Sequence, residues 1–321
     1  MWDVREGCRH RWIKATRRNQ SGGTSTNSGL HKPGVHKFSA TVGFCRECGA
    51  WRGELGLEPT PELYIEHLCQ VFDEVRRVLK RTGTCWVVMG DTYGGSGQGW
   101  GKRGKVRGRN SIDKRPTGIL CTDRPRSYTA PPKSLSLIPS RFAIEMCDRG
   151  WTLRNIVIWH KQNHMPASVK DRFTNSYEQV FMLARSRKYW FDLDAVRLPY
   201  KASSIARSRY SHKSHPQSPY KDQVDGENME RFVHPLGKNP GDLWTIPTRP
   251  FRGAHFATFP EKLIEPMIKA GCPEGGVVLD PFIGSGTTAV VARRLGRQFM
   301  GIDINPDYCE MARKRIAGVQ V

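Results

Sequence analysis

The stretch LDPFIGSGTT, Leu279 to Thr288, decides the fold class of this chain. The apolar residues before it are typical of a buried strand and TTAVVARRLG after it is typical of a helix, so the glycines lie at a strand-to-helix turn. Glycine at such a turn lets backbone amides approach a ligand, at the carboxyl edge of the sheet where α/β folds bind ligands. The next predicted strand, QFMGIDI, ends near Asp303, whose carboxylate can accept hydrogen bonds from two ribose hydroxyls.

The turn does not match two common nucleotide motifs. It lacks the Lys-Ser/Thr pair of a triphosphate loop, and Gly284-Ser285-Gly286 is not the GxGxxG of a dinucleotide site. The pattern therefore indicates an adenosine-containing cofactor held without a phosphate cradle. The alternative is that the glycines only allow tight packing of strand against helix and that Asp303 is a solvated cap. The glycines alone do not decide between the two.

The segments around the turn alternate between helix and strand, which predicts a parallel sheet with right-handed crossovers. They are the helix FPEKLIEPMIKAG, the strand VVLDPF, the helix TTAVVARRLG, the strand QFMGIDI and the helix PDYCEMARKRI. Upstream, Thr60 and Pro61 predict a helix start and Gly83 closes that helical segment. The remaining predicted elements are the strand TCWVVM, a helix in LIPSRFAIEMCDRG, the strand WTLRNIVIWH, and one or two short strands in EQVFMLAR and KYWFDL.

Composition restricts the class of partner. The 321 residues carry 51 Lys and Arg against 30 Asp and Glu, a formal charge of +21, which favours a polyanionic partner. Nucleic acid is the first candidate and an acidic membrane surface the second. No apolar run reaches the roughly 20 residues of a membrane span, and the N-terminus lacks the apolar core of a signal peptide, so we interpret the protein as cytoplasmic.

Four of the nine cysteine and ten histidine residues form two short knuckles near the N-terminus. Cys8-x-His10 and Cys45-x-x-Cys48 supply the four nitrogen and sulfur ligands that structural zinc prefers. They lie in a polar, loop-rich segment, so we predict a zinc-knuckle-like module over residues 1–55 and a larger domain over residues 56–321. The alternative is two pairs of free thiol and imidazole groups.

The whole string LDPFIGSGTTAVVARRLGRQFMGIDINPDY closely resembles the S-adenosylmethionine-binding segment of the amino-group DNA methyltransferases, the N4-cytosine and N6-adenine enzymes. HFATFPEKL, His255 to Leu263, looks like the family's element that contacts the methionine part of the cofactor. LRNIVIWHKQNHMP, YEQVFMLARS and YWFDLDAVR are similar to the region between, so the resemblance runs from about Gly56 to Val321. The cofactor-binding residues that it implies are Thr258, Phe259, Pro260, Asp280, Phe282, Gly284, Gly286, Thr287 and Asp303.

The late position of the turn agrees with one branch of that family. Only one strand and two helices follow it, so the other strands of the sheet come from upstream. The resemblance therefore implies a circularly permuted Rossmann-like methyltransferase sheet of the β type, with the small N-terminal zinc-binding insertion and basic loops added to it.

Catalysis in the family uses a D/S-P-P-Y turn, whose first residue and backbone accept hydrogen bonds from the target amine while the aromatic ring stacks on the flipped base. That tetrapeptide is absent, since Pro131-Pro132 is followed by Lys133. The nearest pattern is Gly90-Asp91-Thr92-Tyr93, so Asp91 and Tyr93 are the catalytic candidates, with a turn that only shapes the site as the alternative. The resemblance places the full turn upstream of Met1.

Two basic segments carry aromatic residues, as expected for contacts with DNA phosphates. They are a loop over residues 94–133 and a segment over residues 201–240, and the second is the better candidate for target recognition. The candidate DNA-binding residues are Lys102, Arg103, Lys105, Arg107, Arg207, Arg209 and Lys213. Solvated charged loops are the alternative.

The leading hypothesis is a prokaryotic or phage methyltransferase that modifies double-stranded DNA at a specific sequence, with a restriction enzyme as a partner. In the family the first residue of the missing turn distinguishes N4-cytosine (Ser) from N6-adenine (Asp). A non-catalytic DNA-binding or cofactor-binding remnant is the second hypothesis, and an RNA methyltransferase is the third.

Overall fold

The computed structural model describes residues 2–12, 43–56, 58, 60–94, 130–131, 133–208, 233–248 and 259–319. They fall in two compact units. The first joins Met1–Glu74 to Asp91–Glu145, and the second joins Val75–Gly90 to Met146–Val321. The predicted boundary near residue 55 stays a prediction. Among the described residues, no helix is long and apolar enough to span a membrane.

The first unit contains a short antiparallel pair and most of two helices. Strand β1 is Gly43–Phe44 and β2 is Trp51–Arg52; helix α1 is Pro61–Val78 and α2 is Ile138–Asp148. The hydroxyl of Thr60 accepts a hydrogen bond from the Leu63 amide at 3.2 Å, which confirms the predicted helix start. Phe72 of α1 meets Phe142 of α2 edge to face, with ring centroids 5.4 Å apart.

A buried histidine fastens the N-terminal residues to α1. His67 is fully buried, and its Nδ1 and Nε2 lie 3.0 Å from Glu58 Oε1 and 2.9 Å from Asp3 Oδ2. Trp2 stacks on the imidazole, with centroids 4.7 Å apart, and pairs through its backbone with Trp51. Both ring nitrogens of a buried group are thereby satisfied, which avoids the desolvation cost of an unpaired polar atom.

The second unit contains a four-stranded sheet in the order β3-β5-β4-β6. Its strands are β3, Thr84–Met89; β4, Thr152–His160; β5, Tyr177–Ala184; and β6, Leu243–Thr245. Strand β5 is antiparallel to both β3 and β4, and β6 is parallel to β4. Short α3, Ala202–Ser208, follows a single 3-10 turn at Asp194–Val196.

The C-terminal part of this unit carries the predicted parallel pair. Strand β7, Val277–Asp280, is parallel to β8, Gln298–Gly301, and the helices are α4, Glu261–Gly271; α5, Thr287–Arg294; and α6, Pro306–Ala317. One core joins the two sheets through α4 and α5. It contains Val157, Trp159, Val180, Leu263, Ile264, Met267, Ile268, Val291 and Ala292.

The described strands settle one open alternative and add one strand that was not expected. KYWFDL forms no strand; its backbone instead donates from Trp190 to the Thr82 carbonyl and from Asp192 to the Ala270 carbonyl. Strand β6 was not foreseen, because three residues are too few to show a period, and it depends on tertiary contacts such as the stacking of Trp86 on Trp244. The described strands also form separate sheets rather than one.

Candidate active site and metal centre

The glycine turn lies between β7 and α5, as predicted. Two backbone hydrogen bonds tie it to the residues after β8: the Ile302 amide donates to the Asp280 carbonyl, and the Ile283 amide donates to the Ile302 carbonyl, both at 2.9 Å. Because these bonds continue the parallel ladder past the strand ends, the two acidic strand ends lie side by side.

Gly286 is required by both backbone conformation and packing. Its φ is 84°, in the left-handed region, and a Cβ built on it would lie 2.9 Å from the Cβ of Ala312 in α6. Gly284 also has a positive φ, of 49°. The glycines therefore let α5 start close to α6, which is the packing role weighed as the alternative, and they leave two positions of the turn without side chains.

The two acids shape the turn through backbone amides. Asp280 accepts from the Phe282 amide at 2.9 Å and from the Thr288 hydroxyl at 2.6 Å. Asp303 accepts from the Gly284 amide at 2.9 Å and from the Asn305 amide at 2.8 Å. Burial raises the pKa of the Asp280 carboxyl above its ordinary value, and the nearby charge of Asp303 acts in the same direction.

Most of the predicted cofactor residues are brought together here. Asp280, Phe282, Gly284, Gly286 and Thr287 lie on the turn itself, and the Asp303 carboxylate, two residues after β8, accepts the Gly284 amide of the turn. Phe282 is 48% exposed, so its ring offers an apolar face to a ligand. Just before α4, Phe259 packs against the shared core and Pro260 is buried, whereas Thr258 lies outside the described residues.

Sequence reasoning missed Arg315, which supports the same turn from the last helix. Its guanidinium Nη1 donates to the carbonyl of Ser285 at 2.7 Å, to the Ser285 hydroxyl at 2.9 Å and to the Thr287 hydroxyl at 3.2 Å. A basic residue in the last turn of a helix is ordinarily a dipole partner. No local signal in the sequence distinguishes Arg315 from its neighbours Arg313 and Lys314.

Asp91 and Tyr93, the catalytic candidates, follow β3 and belong to the first unit. The Asp91 carboxylate accepts from three backbone amides, those of Thr92 at 2.8 Å, Leu137 at 3.1 Å and Ile138 at 3.1 Å. Tyr93 pairs through its backbone with Leu135. Asp91 thus fixes the start of α2, and a catalytic role for either residue stays a prediction.

The four predicted metal ligands converge. The ligand atoms of Cys8, His10, Cys45 and Cys48 all lie within 4.8 Å of one another. Two separations are 3.9 Å, between the sulfurs of Cys8 and Cys45, and 3.4 Å, between Cys48 Sγ and His10 Nδ1. Tetrahedral zinc with bonds of about 2.0–2.3 Å needs separations of about 3.5–3.8 Å between ligand atoms, so the donor set fits that metal.

The backbone of the module holds these ligands in place. The Cys45 amide donates to the Ala50 carbonyl at 2.8 Å, the Gly49 amide to the Cys45 carbonyl at 3.0 Å, and Trp12 bridges to Cys45. Burial, together with the Cys48 and Cys45 thiols, raises the pKa of Cys8 to about 12. Against the effect of burial, hydrogen bonds from the Cys48 amide and from His10 lower the pKa of Cys45 to about 6.

The candidate DNA-binding residues are only partly described. Arg207 is exposed on α3, where its guanidinium donates to the Ser203 carbonyl at 3.4 Å. The others lie outside the described residues: Lys102, Arg103, Lys105, Arg107, Arg209 and Lys213.

A strand-glycine-helix turn with two adjacent acids and no phosphate-binding lysine is the arrangement expected of a nucleoside-cofactor site in a Rossmann-like fold. Comparison with known proteins gives the same class. A family model described as DNA methylase, the N6/N4 methyltransferase family, matches residues 33–314. The PvuII DNA methyltransferase (cytosine-N4-specific) shares the fold with a TM-score of 0.53 and 18% identity, over 84% of this chain and 76% of that one.

Two sequence relatives are closer. The Type II methyltransferase M.Cfr9I of Citrobacter freundii is 37% identical over 265 residues, covering 83% of this chain and 75% of its own. M.SmaI of Serratia marcescens is 36% identical over 264 residues, covering 82% and 77%. This protein belongs to the N6/N4 family of DNA methylases. It is a DNA amino methyltransferase whose methyl donor is S-adenosylmethionine.

Proposed function

We propose that this protein is the modification enzyme of a type II restriction–modification pair, methylating N4 of cytosine or N6 of adenine at one sequence in duplex DNA. The observation that carries the proposal is the glycine turn after β7, where the carboxylates of Asp280 and Asp303 both accept backbone amides of the turn. Its relatives of similar length, from Citrobacter freundii and Serratia marcescens, are type II methyltransferases.

The residues of the turn divide the work of holding the cofactor. Each Asp303 oxygen accepts one backbone amide and keeps a lone pair that can accept a ribose hydroxyl. The exposed ring of Phe282 is available to stack on the adenine, and Phe259 with Pro260 lies before α4 where the resemblance expects the methionine part. Bound there, the cofactor supplies an electrophilic methyl group on its sulfonium.

The target amine is a weak nucleophile, and the glycine turn offers no group to activate it. Its lone pair is delocalised into the base, so an acceptor must draw on its N–H groups while the methyl group is displaced in line. The D/S-P-P-Y turn of the family does that, and Asp91 and Tyr93 are the candidates that this chain offers for the role. The strand order is then circularly permuted, with catalytic strands before the cofactor half.

The DNA contacts in the proposal are electrostatic. The charge of +21 suits a phosphate backbone, and Arg207 is exposed on α3 within the segment 201–240 that we assign to target recognition. The loop 94–133 is the second basic contact. Both assignments concern position on the duplex, because phosphate contacts carry no sequence information.

One experiment tests the function directly. The chain is expressed in a bacterial host free of DNA methylation, alone and with an upstream extension that restores a Ser/Asp-Pro-Pro-Tyr turn, and plasmid DNA is sequenced by a single-molecule method that detects N4-methylcytosine and N6-methyladenine. We expect one modified motif in the extended form and none when Asp303→Ala is introduced. If neither form modifies DNA although both bind it, the protein is the non-catalytic remnant instead.

We assign a structural zinc ion to Cys8, His10, Cys45 and Cys48. Four ligands leave no open position for a substrate, and the metal would hold a module whose strands are only two residues long. Elemental analysis of purified protein should find about one zinc per chain. Cys48→Ser should lose it, Cys147→Ser on the exposed side of α2 should keep it, and zinc-free wild-type protein with intact fold would contradict the assignment.

A further inference from the structure

The loop between β4 and β5 presents two large apolar side chains to solvent. It comprises residues 161–176, and within it Phe173 is 96% exposed and Met165 is 86% exposed. Burying such side chains is favourable by roughly 1.5–3 kcal/mol each, so their full exposure on an ordered loop is unusual for a free surface. Sequence reasoning assigned no role to this loop.

The base of the loop is firmly anchored. The Lys161 amide donates to the Ser176 carbonyl at 2.7 Å, closing the loop between the two strands. Asn163 and Thr248 exchange three hydrogen bonds: Asn163 Nδ2 to the Thr248 carbonyl at 2.8 Å, and the Thr248 amide and hydroxyl to Asn163 Oδ1 at 2.7 and 3.0 Å. The loop is therefore fixed to the segment that follows β6.

The backbone at Phe173 is also held. Arg172 Nη1 donates to the Phe173 carbonyl at 3.2 Å and to Asn175 Oδ1 at 3.4 Å. These contacts restrain the loop backbone before binding, which reduces the entropic cost of ordering it against a partner.

The loop continues from the strand that shares a core with the cofactor segment. Trp159, near the end of β4, is buried in the core against which Phe259 and Ile246 pack, and its indole donates to the Ile246 carbonyl at 2.8 Å. The loop thus leaves the sheet from elements packed together with a predicted cofactor residue.

The charges beside the exposed ring favour DNA as its partner. Lys170 and Arg172 flank it with one acid, Asp171, between them, in a protein with a formal charge of +21. Enzymes that modify a base extrude it from the duplex, which leaves an unstacked gap, and side chains such as Phe and Met are the ones that wedge between base steps. A ring with basic neighbours suits that gap.

We propose that Phe173 inserts into the DNA stack at the gap left by the extruded base, with Lys170 holding an adjacent phosphate and Met165 widening the apolar contact. The inference rests on the proposed function, since it takes duplex DNA as the substrate. It adds a positioning residue that acts on the DNA rather than on the cofactor.

The test compares two versions of one 25-base-pair duplex, intact and lacking a single central base, by fluorescence anisotropy at fixed salt. A missing base provides the gap without the cost of extrusion, so the recognition sequence need not be known. Because stacking on an aromatic ring is worth about 1–3 kcal/mol, wild-type protein should bind the gapped duplex about tenfold more tightly than the intact one.

The variants separate the wedge from general binding. Phe173→Ala should abolish the preference while affinity for the intact duplex stays within about threefold, and Phe173→Trp should restore it. Lys170→Ala should weaken binding to both duplexes equally and reduce the salt dependence by about one phosphate contact. Phe191→Ala removes an exposed phenylalanine outside the loop and should change neither affinity.

The inference is overturned, with the proposed function left in place, if wild-type protein binds both duplexes equally or if the Phe173→Ala variant keeps the preference. A shift in oligomeric state in Phe173→Ala with unchanged DNA binding would make the loop a protein contact and would also overturn it. If wild-type protein binds neither duplex, the proposed function itself fails. Unchanged binding of S-adenosylmethionine in every variant checks that the fold is intact.

Discussion

Two sites in this protein begin with the same local pattern, a strand followed by an acid, and differ in what surrounds it. Asp91 follows β3, and Asp280 ends β7. Both carboxylates accept backbone amides. The amides on Asp91 include those of Leu137 and Ile138, 46 and 47 residues away, whereas the amide on Asp280 belongs to its own turn, at Phe282.

The difference lies in the residues that follow the acid. After Asp280 come two glycines with positive φ, and a second acid, Asp303, reaches back to the Gly284 amide. After Asp91 the carboxylate is occupied by the start of a helix, which is the arrangement of a cap. We infer that an acid at a strand end favours a ligand site where glycines follow it in the turn and where a second carboxylate, after the neighbouring strand, can also accept hydrogen bonds.

The largest expected effect is that of Asp303→Ala, which tests whether the second carboxylate belongs to a cofactor site. Loss of the charged acceptor for two ribose hydroxyls, together with the bond to the Gly284 amide, should weaken S-adenosylmethionine binding by about 100-fold, since hydrogen bonds to charged groups contribute about 1.5–3 kcal/mol each. Titration calorimetry measures this. Asp307→Ala, four residues along in the first turn of α6, should stay within about twofold; equal losses in the two variants would remove Asp303 from the cofactor site.

Gly286→Ala tests whether the absence of a side chain at Gly286 is also needed for the packing of α5 against α6. An alanine at this positive φ is strained by about 1–2 kcal/mol. Its Cβ would also lie 2.9 Å from the Ala312 Cβ, and this close contact adds to the cost. The free energy of unfolding should therefore fall by about 2.5 kcal/mol. Gly275→Ala is the matched control, because its φ is 69° but nothing lies within 4 Å of the added Cβ. Denaturant titration of both variants isolates the contact, and equal losses would exclude it.

Asp91→Ala should have a smaller effect, on stability. Removing the acceptor of three amides at the start of α2 should lower the unfolding free energy by about 1–2 kcal/mol and leave cofactor affinity within about twofold. Asp91→Asn retains one acceptor oxygen and should lose about half as much. If methyl transfer collapses in Asp91→Asn while its stability matches wild type, Asp91 is catalytic after all.

The smallest effect concerns the titration of Asp280. Burial raises its pKa in the folded state above the ordinary 3.8, so the folded chain binds more protons than the unfolded chain in the window above that value. Its contribution to unfolding free energy therefore falls as pH rises through this window. Asp280→Asn can keep both hydrogen bonds and should flatten this part of the pH profile, as measured by denaturant titration between pH 4 and pH 7. If the pH dependence of the unfolding free energy is the same in Asp280→Asn as in wild type, the raised pKa of Asp280 is not its cause.

The sequence predicted the strand-turn-helix geometry around the two glycines, because each feature there is local. A strand, two glycines, a helix and the next strand end all lie between Val277 and Asp303, and their spacing is set by one β-α-β unit. The Cys/His cluster was also predictable, since metal ligands occur at short fixed spacings even when the knuckles lie far apart. In both cases a chemical requirement limits the residues at known positions.

What the sequence did not predict depends on distant partners. Arg315 donates to Ser285 from 30 residues away, and Asp91 accepts amides from residues 46 and 47 positions away. No local sequence pattern predicts either contact. Strand β6 forms because its three residues find the edge of β4. The proposed role of Phe173 depends in part on its exposure, which its sequence neighbours do not reveal.

The position of β5 in the sheet affects how the protein can fold while it is being translated. Thr84 of β3 pairs with Ala184 of β5, and β5 also separates β3 from β4, so among the described strands the partner of β3 is made about a hundred residues later. At roughly 5–20 residues per second, that wait is about 5–20 s. Through that interval the apolar segment TCWVVM lacks the strand that pairs with it, and slow non-local pairing of this kind increases the risk of aggregation.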